Sequence, residues 1–224
     1  MRRRTKASAK FFSSKGAHLL YWLSAAGFAF GLFFTLTWRL HVNGDLESFD
    51  SRFLIALSKI RRAAWNGPAV DVTALGSPVL LTFFSIFALA ILAVLRNWRG
   101  FIHLSVASLG SIFWTRAIKE LVGRARPTAV SHLVDVTGYS YPSGHSLSAA
   151  AIYLSLAIIA AYYWKSFSGR VVLFCVALLL IGAVSFSRAY LGVHYPSDLF
   201  SGFFLGSAWA LFLGGVFSRH PRID

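Results

Sequence analysis

Long apolar runs separated by short polar connections dominate the chain. Six such runs occupy residues 18–38, 74–95, 101–118, 147–164, 171–186 and 199–216. A helix needs roughly 17–25 residues to cross the hydrocarbon core of a bilayer. Inside lipid every backbone amide must be satisfied within its own segment, which favours helices. The pattern therefore predicts an all-α polytopic membrane protein, six transmembrane helices packed as a bundle. The first run follows Arg2, Arg3, Arg4, Lys6, Lys10 and Lys15, as a signal peptide would. It is too long for such a segment and no clean small-x-small cleavage site follows, so it reads as an uncleaved span.

Charge placement sets the expected orientation. With the N-terminus in the cytoplasm, the inner segments hold the N-terminal basic cluster, Arg96, Arg99, Lys165, Arg170, Arg219 and Arg222. Short cytoplasmic loops carry such an excess of cations. The resulting division is a basic tail at 1–17, a membrane domain at 18–218 and a second cytoplasmic tail at 219–224. The outer loop at 39–73 carries Leu46, Phe49, Phe53, Leu57 and Ile60 at helical spacing. That stripe predicts an amphipathic helix at the outer interface, packed on the bundle or acting as a lid for lipid access. Asn43-Gly44 marks a turn before it and Gly67-Pro68 one after it.

Composition narrows the class. Hydrophobic residues make up 56% of the 224 positions and charged ones 13%, about half the soluble norm of roughly 25%. The net charge of +14 is spread between apolar runs rather than gathered on a solvated face, which excludes nucleic acid as a partner. Cys175 stands alone within an apolar run and reads as a small hydrophobe in the membrane.

Three polar clusters interrupt this pattern: Lys119-x6-Arg126-Pro127, Pro142-Ser143-Gly144-His145 and Ser187-Arg188-x5-His194-x3-Asp198. In the six-span arrangement all three leave or enter helices at the same membrane face. A phosphomonoester there would meet Arg126 and Arg188, whose planar forks pair with its oxygens, and the point charge of Lys119. Ser143 and Gly144 open the fourth span, where backbone N–H groups and the positive helix end attract anions. Asp198, four residues after His194, is placed to accept from one ring nitrogen and free the other to attack. His145 is suited to protonate the departing alkoxide. Carboxylates near these clusters are few (Glu120, Asp135, Asp198), so no metal and no cofactor is expected.

Taken singly, these features have plainer readings: snorkelling cations, a helix cap, a surface His–Asp pair. Arg116 reads as a snorkelling cation, and His18, His41, His103 and His132 as interfacial. Gly202-x3-Gly206 suits a dimer seam or, more plainly, close packing within the bundle.

Together the three clusters closely resemble the signature of the type 2 phosphatidic acid phosphatase family, whose soluble relatives include acid phosphatases and vanadium haloperoxidases. Every motif position is matched, in order and spacing, between Lys119 and Asp198. The resemblance implies that Lys119, Arg126 and Arg188 bind phosphate with Ser143 and Gly144, that His145 is the acid, and that His194 is a nucleophile oriented by Asp198. It implies metal-independent hydrolysis of a phosphorylated lipid through a phosphohistidine, while the short chain and loops point to a bacterial inner membrane and the charge pattern to its periplasmic face. Phosphatidic acid, phosphatidylglycerol phosphate, undecaprenyl diphosphate and lipid A phosphates all fit, since the motifs grip phosphate and do not read the lipid. A lipid phosphotransferase using the same intermediate, or a lipid-binding protein that keeps the fold, are the alternatives. Arg124 lies inside the first motif and receives no role. Oligomeric state is not legible.

Overall fold

The computed structural model describes residues 2–40, 44 and 46–217, with side chains from Leu19 onward. His18, His41, Asn43, the basic side chains before Leu19 and the segment 219–224 lie outside that description. Among the described residues there are eight helices and no strand: α1 (Arg2–Trp38), α2 (Leu46–Lys59), α3 (Ala63–Ala74), α4 (Pro78–Val94), α5 (Trp98–Val122), α6 (Gly144–Ala161), α7 (Phe167–Tyr190) and α8 (Pro196–Phe217). Five are long and apolar enough to cross a membrane, and α3 with α4, bent by 42°, counts as a sixth when the pair is taken as one span.

Local sequence explains where these helices begin and end. The Ser77 hydroxyl accepts from the Leu80 N–H and Pro78 follows it, so a new helix starts where a continuous second span was expected. Gly67-Pro68, expected as a turn, instead lies inside α3, where Pro68 forgoes only its own backbone donor. Asn97 and Ser166 cap α5 and α7 in the same way as Ser77. The helix α5 stops at Gly123, whose φ of 61° is left-handed and whose N–H closes on the Lys119 carbonyl. The fifth crossing, read as the shortest, spans 24 residues as α7 because Ser187 and Arg188 continue the helix into the polar cluster.

Burial is inverted relative to a water-soluble bundle. Phe28, Phe34, Phe83, Leu109 and Leu179 face outward, while Ser143, Ser155, Arg188, His194 and Asp198 are buried. Such an apolar exterior fits lipid. The central helices are α6 and α8; α5 and α7 flank α6, and α1 runs along α8. The core joins Leu81, Leu104, Ile158, Ile181 and Val184 around the alanines of α6. His103, read as interfacial, is buried here against the Ser155 hydroxyl at 3.1 Å. Cys175 is exposed on the lipid-facing side of α7.

The contact between α6 and α8 is nearly backbone to backbone. A Cβ on Gly206 would lie 2.3 Å from the Leu147 carbonyl oxygen, and one on Gly202 would lie 2.6 Å from that of Ser143. Gly202-x3-Gly206 is thus a seam within the bundle. It sets the first residues of α6 beside those of α8, and the Ser143 N–H donates to the Asp198 carbonyl at 3.0 Å. Gly206→Ala is expected to destabilise the protein by about 1–3 kcal/mol through overpacking. Gly182→Ala, on α7 with nothing within 4 Å of the added carbon, should leave it unchanged or slightly firmer. Thermal melts of both variants in detergent check this, and equal melting temperatures would contradict it.

Candidate active site

The ends of α5 and α7 and the starts of α6 and α8 meet at one end of the bundle, beneath the loop from Gly123 to Ser143. That loop is pinned at both sides: Ser140 N–H donates to the Arg124 carbonyl at 2.8 Å, and Leu133 N–H to the Leu191 carbonyl at 3.0 Å. Tyr141, fully buried, meets the Thr37 hydroxyl at the end of α1 at 2.5 Å. The three sequence clusters are therefore brought together.

At the centre, His194 is 2% exposed and Asp198 not at all. His194 Nδ1 lies 3.4 Å from Asp198 Oδ2. The same carboxylate oxygen accepts from the Ser140 hydroxyl at 2.5 Å and the Tyr195 N–H at 2.9 Å. On the ring's other side, Nε2 lies 3.4 Å from Arg126 Nη1. A guanidinium can only donate, so Nε2 presents its lone pair and the proton sits on Nδ1, toward Asp198. Burial pushes the His194 pKa down to about 4; Asp198 pulls it up, Arg188 and Arg126 push it further down, and burial prevails. The imidazole is neutral at physiological pH.

Arg126 approaches this nitrogen, Arg188 lies within electrostatic reach of the ring, and Lys119 lies within reach of both arginines. Arg126 is fixed by the Gly138, Val193 and Thr137 carbonyls at 3.0, 2.9 and 2.9 Å. Buried Arg188 donates from Nη1 to the Thr73 hydroxyl at 3.2 Å, and its Nε has no hydrogen-bond partner. Lys119 donates to the Tyr139 carbonyl. His145 lies within electrostatic reach of Lys119, Arg126, Arg188 and His194. Its ring rests against Gly76 at the α3–α4 bend, where a Cβ would come within 3.3 Å of it. Ser143 caps α6 by accepting from the Ser146 N–H at 3.5 Å, which keeps its own proton for another acceptor. Among the described residues no group of three or more His, Cys, Asp or Glu is placed to hold a metal ion.

The PAP2 superfamily model matches residues 100–221, more than half of the chain. Phosphatidylglycerophosphatase B of Bacillus subtilis is 30% identical over 179 residues, covering 79% of this chain and 87% of that protein. The chain belongs to the PAP2 superfamily. A lipid A 1-phosphatase of Rhizobium johnstonii is 28% identical over 137 residues, 57% of this chain and 51% of that one. The crystal structure of a transmembrane PAP2 type phosphatidylglycerolphosphate phosphatase from Bacillus subtilis superposes with a TM-score of 0.79 at 26% identity. It covers 89% of this chain and 98% of that one.

This PAP2 site also recruits residues that the motifs did not announce. Arg124 Nη1 donates to Asp198 Oδ1 at 2.6 Å and Nη2 to Asp50 Oδ2 at 2.8 Å. Burial disfavours its charge, but Asp198 and Asp50 outweigh that and raise its pKa above the ordinary value. Asp50 sits on the buried face of α2 with Leu54 and Leu57. The stripe predicted for that face is therefore rotated: Phe49, Phe53 and Ile60 point outward. The spacing 50, 54, 57 was equally helical, but an acid was not counted as a core position. Ser140 and Thr73 carried no sequence signal at all.

The depressed His194 pKa has a consequence for stability. An unfolded imidazole takes up its proton near about 6.5, while the folded one resists until about 4. Stability present at neutral pH is therefore lost as pH falls through this window. The melting temperature should drop between about pH 6.5 and about pH 4, and His194→Asn should shrink that drop; an unchanged pH dependence would contradict the assignment.

Proposed function

We propose that this membrane-embedded PAP2 phosphatase cleaves a lipid phosphate or diphosphate through a covalent phosphohistidine at His194, without metal, at the periplasmic face of a bacterial inner membrane. The observation that carries this reading is a neutral imidazole with Nδ1 turned to Asp198 and Nε2 turned to Arg126, with Arg188 within electrostatic reach of the ring.

Arg126, Arg188 and Lys119, all within electrostatic reach of His145, would hold the phosphate that meets Nε2. The buried Nε of Arg188 lacks a partner, and such a donor is satisfied by an anion oxygen. The Nε2 lone pair forms the N–P bond as the bond from phosphorus to the lipid oxygen breaks. Positive charge then grows on the ring, and Asp198 stabilises it. His145 hands a proton to the lipid alkoxide; the phosphate's own negative charge is what makes a protonated imidazole tolerable among three cations. Water then attacks phosphorus, His145 takes a proton back, and the N–P bond breaks to release inorganic phosphate. Fixed cations supply charge stabilisation without a metal. The names of the similar proteins and the lipid-facing exterior favour a membrane lipid as substrate. The cationic N-terminal cluster, Arg96, Arg99 and Lys165 favour the end opposite the site as cytoplasmic.

Purified enzyme is expected to release phosphate from at least one of phosphatidic acid, phosphatidylglycerol phosphate, undecaprenyl diphosphate and lipid A with EDTA present. His194→Ala should abolish release, and Asp198→Asn should slow it by roughly 10³–10⁴-fold through the wrong tautomer. Acid-labile, base-stable label on the protein from a ³²P-substrate would mark the N–P bond; a strict magnesium requirement would sink the mechanism. In a Cys175→Ser background, His132→Cys should react with an impermeant thiol reagent added outside and Lys165→Cys should not. The reverse pattern would invert the orientation.

A further inference from the structure

Asp50 is fully buried, yet it lies on α2, outside all three motifs, and touches nothing that handles phosphate. Its oxygens are nonetheless occupied. Oδ1 accepts from the Ser197 N–H at 3.0 Å, and Oδ2 accepts from Arg124 Nη2 at 2.8 Å and from the Ser197 hydroxyl. The opposite arm of Arg124 holds Asp198 Oδ1 at 2.6 Å and the Ser197 hydroxyl at 2.7 Å. The Tyr195 ring covers the guanidinium at 4.2 Å. One line of alternating charge thus runs from α2 to the imidazole: Asp50, Arg124, Asp198, His194.

We propose that Asp50 and Arg124 are positioning residues for the histidine nucleophile, and that α2 is thereby part of the active site. The inference rests on the reading of His194 as nucleophile. Its physical basis is twofold. Arg124 occupies Oδ1 alone, which fixes the carboxylate plane and leaves Oδ2 for His194, Ser140 and Tyr195. A planar guanidinium can hold two carboxylates in fixed directions through separate arms, which a point charge cannot do. The second effect is electrostatic. During attack the ring becomes positive, and an unbalanced Arg124 so close to Asp198 would oppose it. Asp50 divides the guanidinium between two carboxylates, so Asp198 keeps its negative charge for the imidazole. Buried ion pairs contribute little net stability when compared with apolar replacements, and orientation is the better account of this one.

The surroundings of α2 give the arrangement a second consequence. On the helix's other side Phe49 is 55% exposed, with Phe53 beside it at a ring separation of 6.2 Å. The helix that presents these rings outward is the one whose carboxylate reaches the catalytic dyad.

The test uses the full-length enzyme in lipid nanodiscs with short-chain phosphatidic acid as substrate and inorganic phosphate as product inhibitor. Asp50→Asn, Arg124→Gln, their double variant and His194→Ala are compared for kcat, KM, inhibition by inorganic phosphate and melting temperature. The expected result is a fall in kcat of about tenfold for Asp50→Asn and about 100-fold for Arg124→Gln. KM and inhibition by inorganic phosphate should stay near wild type, because the phosphate-holding cations are untouched. The double variant should be no slower than Arg124→Gln, as members of one line are non-additive. Wild-type kcat in a folded variant, additive losses, or a kcat loss matched by weaker phosphate inhibition would overturn the inference. Should Arg124→Gln fail to fold, the nearly isosteric Asp50→Asn decides by the same kcat and phosphate-inhibition criteria. Residual turnover in His194→Ala would instead strike at the nucleophile reading, while an inactive His194→Ala beside fully active Asp50 and Arg124 variants would remove only the positioning roles.

Discussion

A carboxylate with no exposure, in a bundle whose exterior is apolar, must be surrounded by donors or give up its charge. Asp198 meets this demand with every neighbour it has. Ser140, Tyr195, Arg124 and His194 each turn a polar hydrogen toward it, and its backbone carbonyl receives the Ser143 N–H. Those five partners come from the two connections that lead into α6 and α8. Satisfying one buried anion therefore fixes the relative placement of most of the polar end of the molecule. The His194 tautomer follows from the same constraint, since a carboxylate on Nδ1 leaves Nε2 no proton to carry.

That convergence depends on the glycine seam below it. With side chains at 202 and 206, α6 and α8 would stand further apart, and Ser143 would no longer reach the Asp198 backbone. Apolar packing in the membrane offers no hydrophobic drive for helices to associate, so close backbone approach and buried hydrogen bonds carry the association. Lower in the bundle the contacts are alanines and branched aliphatics. At the top they become serines, histidine and charge, and the structure passes from packing to chemistry within two helical turns.

Much of this was legible in the chain. The motif residues Lys119, Arg126, Ser143, His145, Arg188, His194 and Asp198 announce themselves by spacing, because they cluster in and beside short connections between long apolar runs. The all-helical membrane fold followed from run length. What escaped the sequence depends on tertiary contact. Ser77-Pro78 is an ordinary start signal, but that it bends a span by 42° onto His145 needs the neighbouring helices. Asp50 looked like a solvated acid on an amphipathic helix. Only the arrival of Arg124 and Ser197, 74 and 147 residues away in the chain, makes it a core residue. His103 was misplaced for the same reason, since its partner Ser155 lies on another helix.

The cations present a different problem from the carboxylate. Lys119, Arg126 and Arg188 repel one another, and burial adds to the cost of each charge. Arg126 is held in place by three backbone carbonyls and Lys119 by one, but carbonyl dipoles offset only part of a full charge. The site thus has an unmet demand for negative charge among these cations. In the proposed reaction a phosphate dianion meets that demand on binding, and the transition state, with charge spread over its equatorial oxygens, meets it at least as well. Inorganic phosphate would too, so a site built in this way binds its product by the same contacts. Release is then helped by the lost lipid tail, which leaves a small, strongly hydrated anion that water can reclaim. Hence the polar cluster lies at the helix ends and not at mid-bundle, where the cations would be harder to charge and the product harder to hydrate.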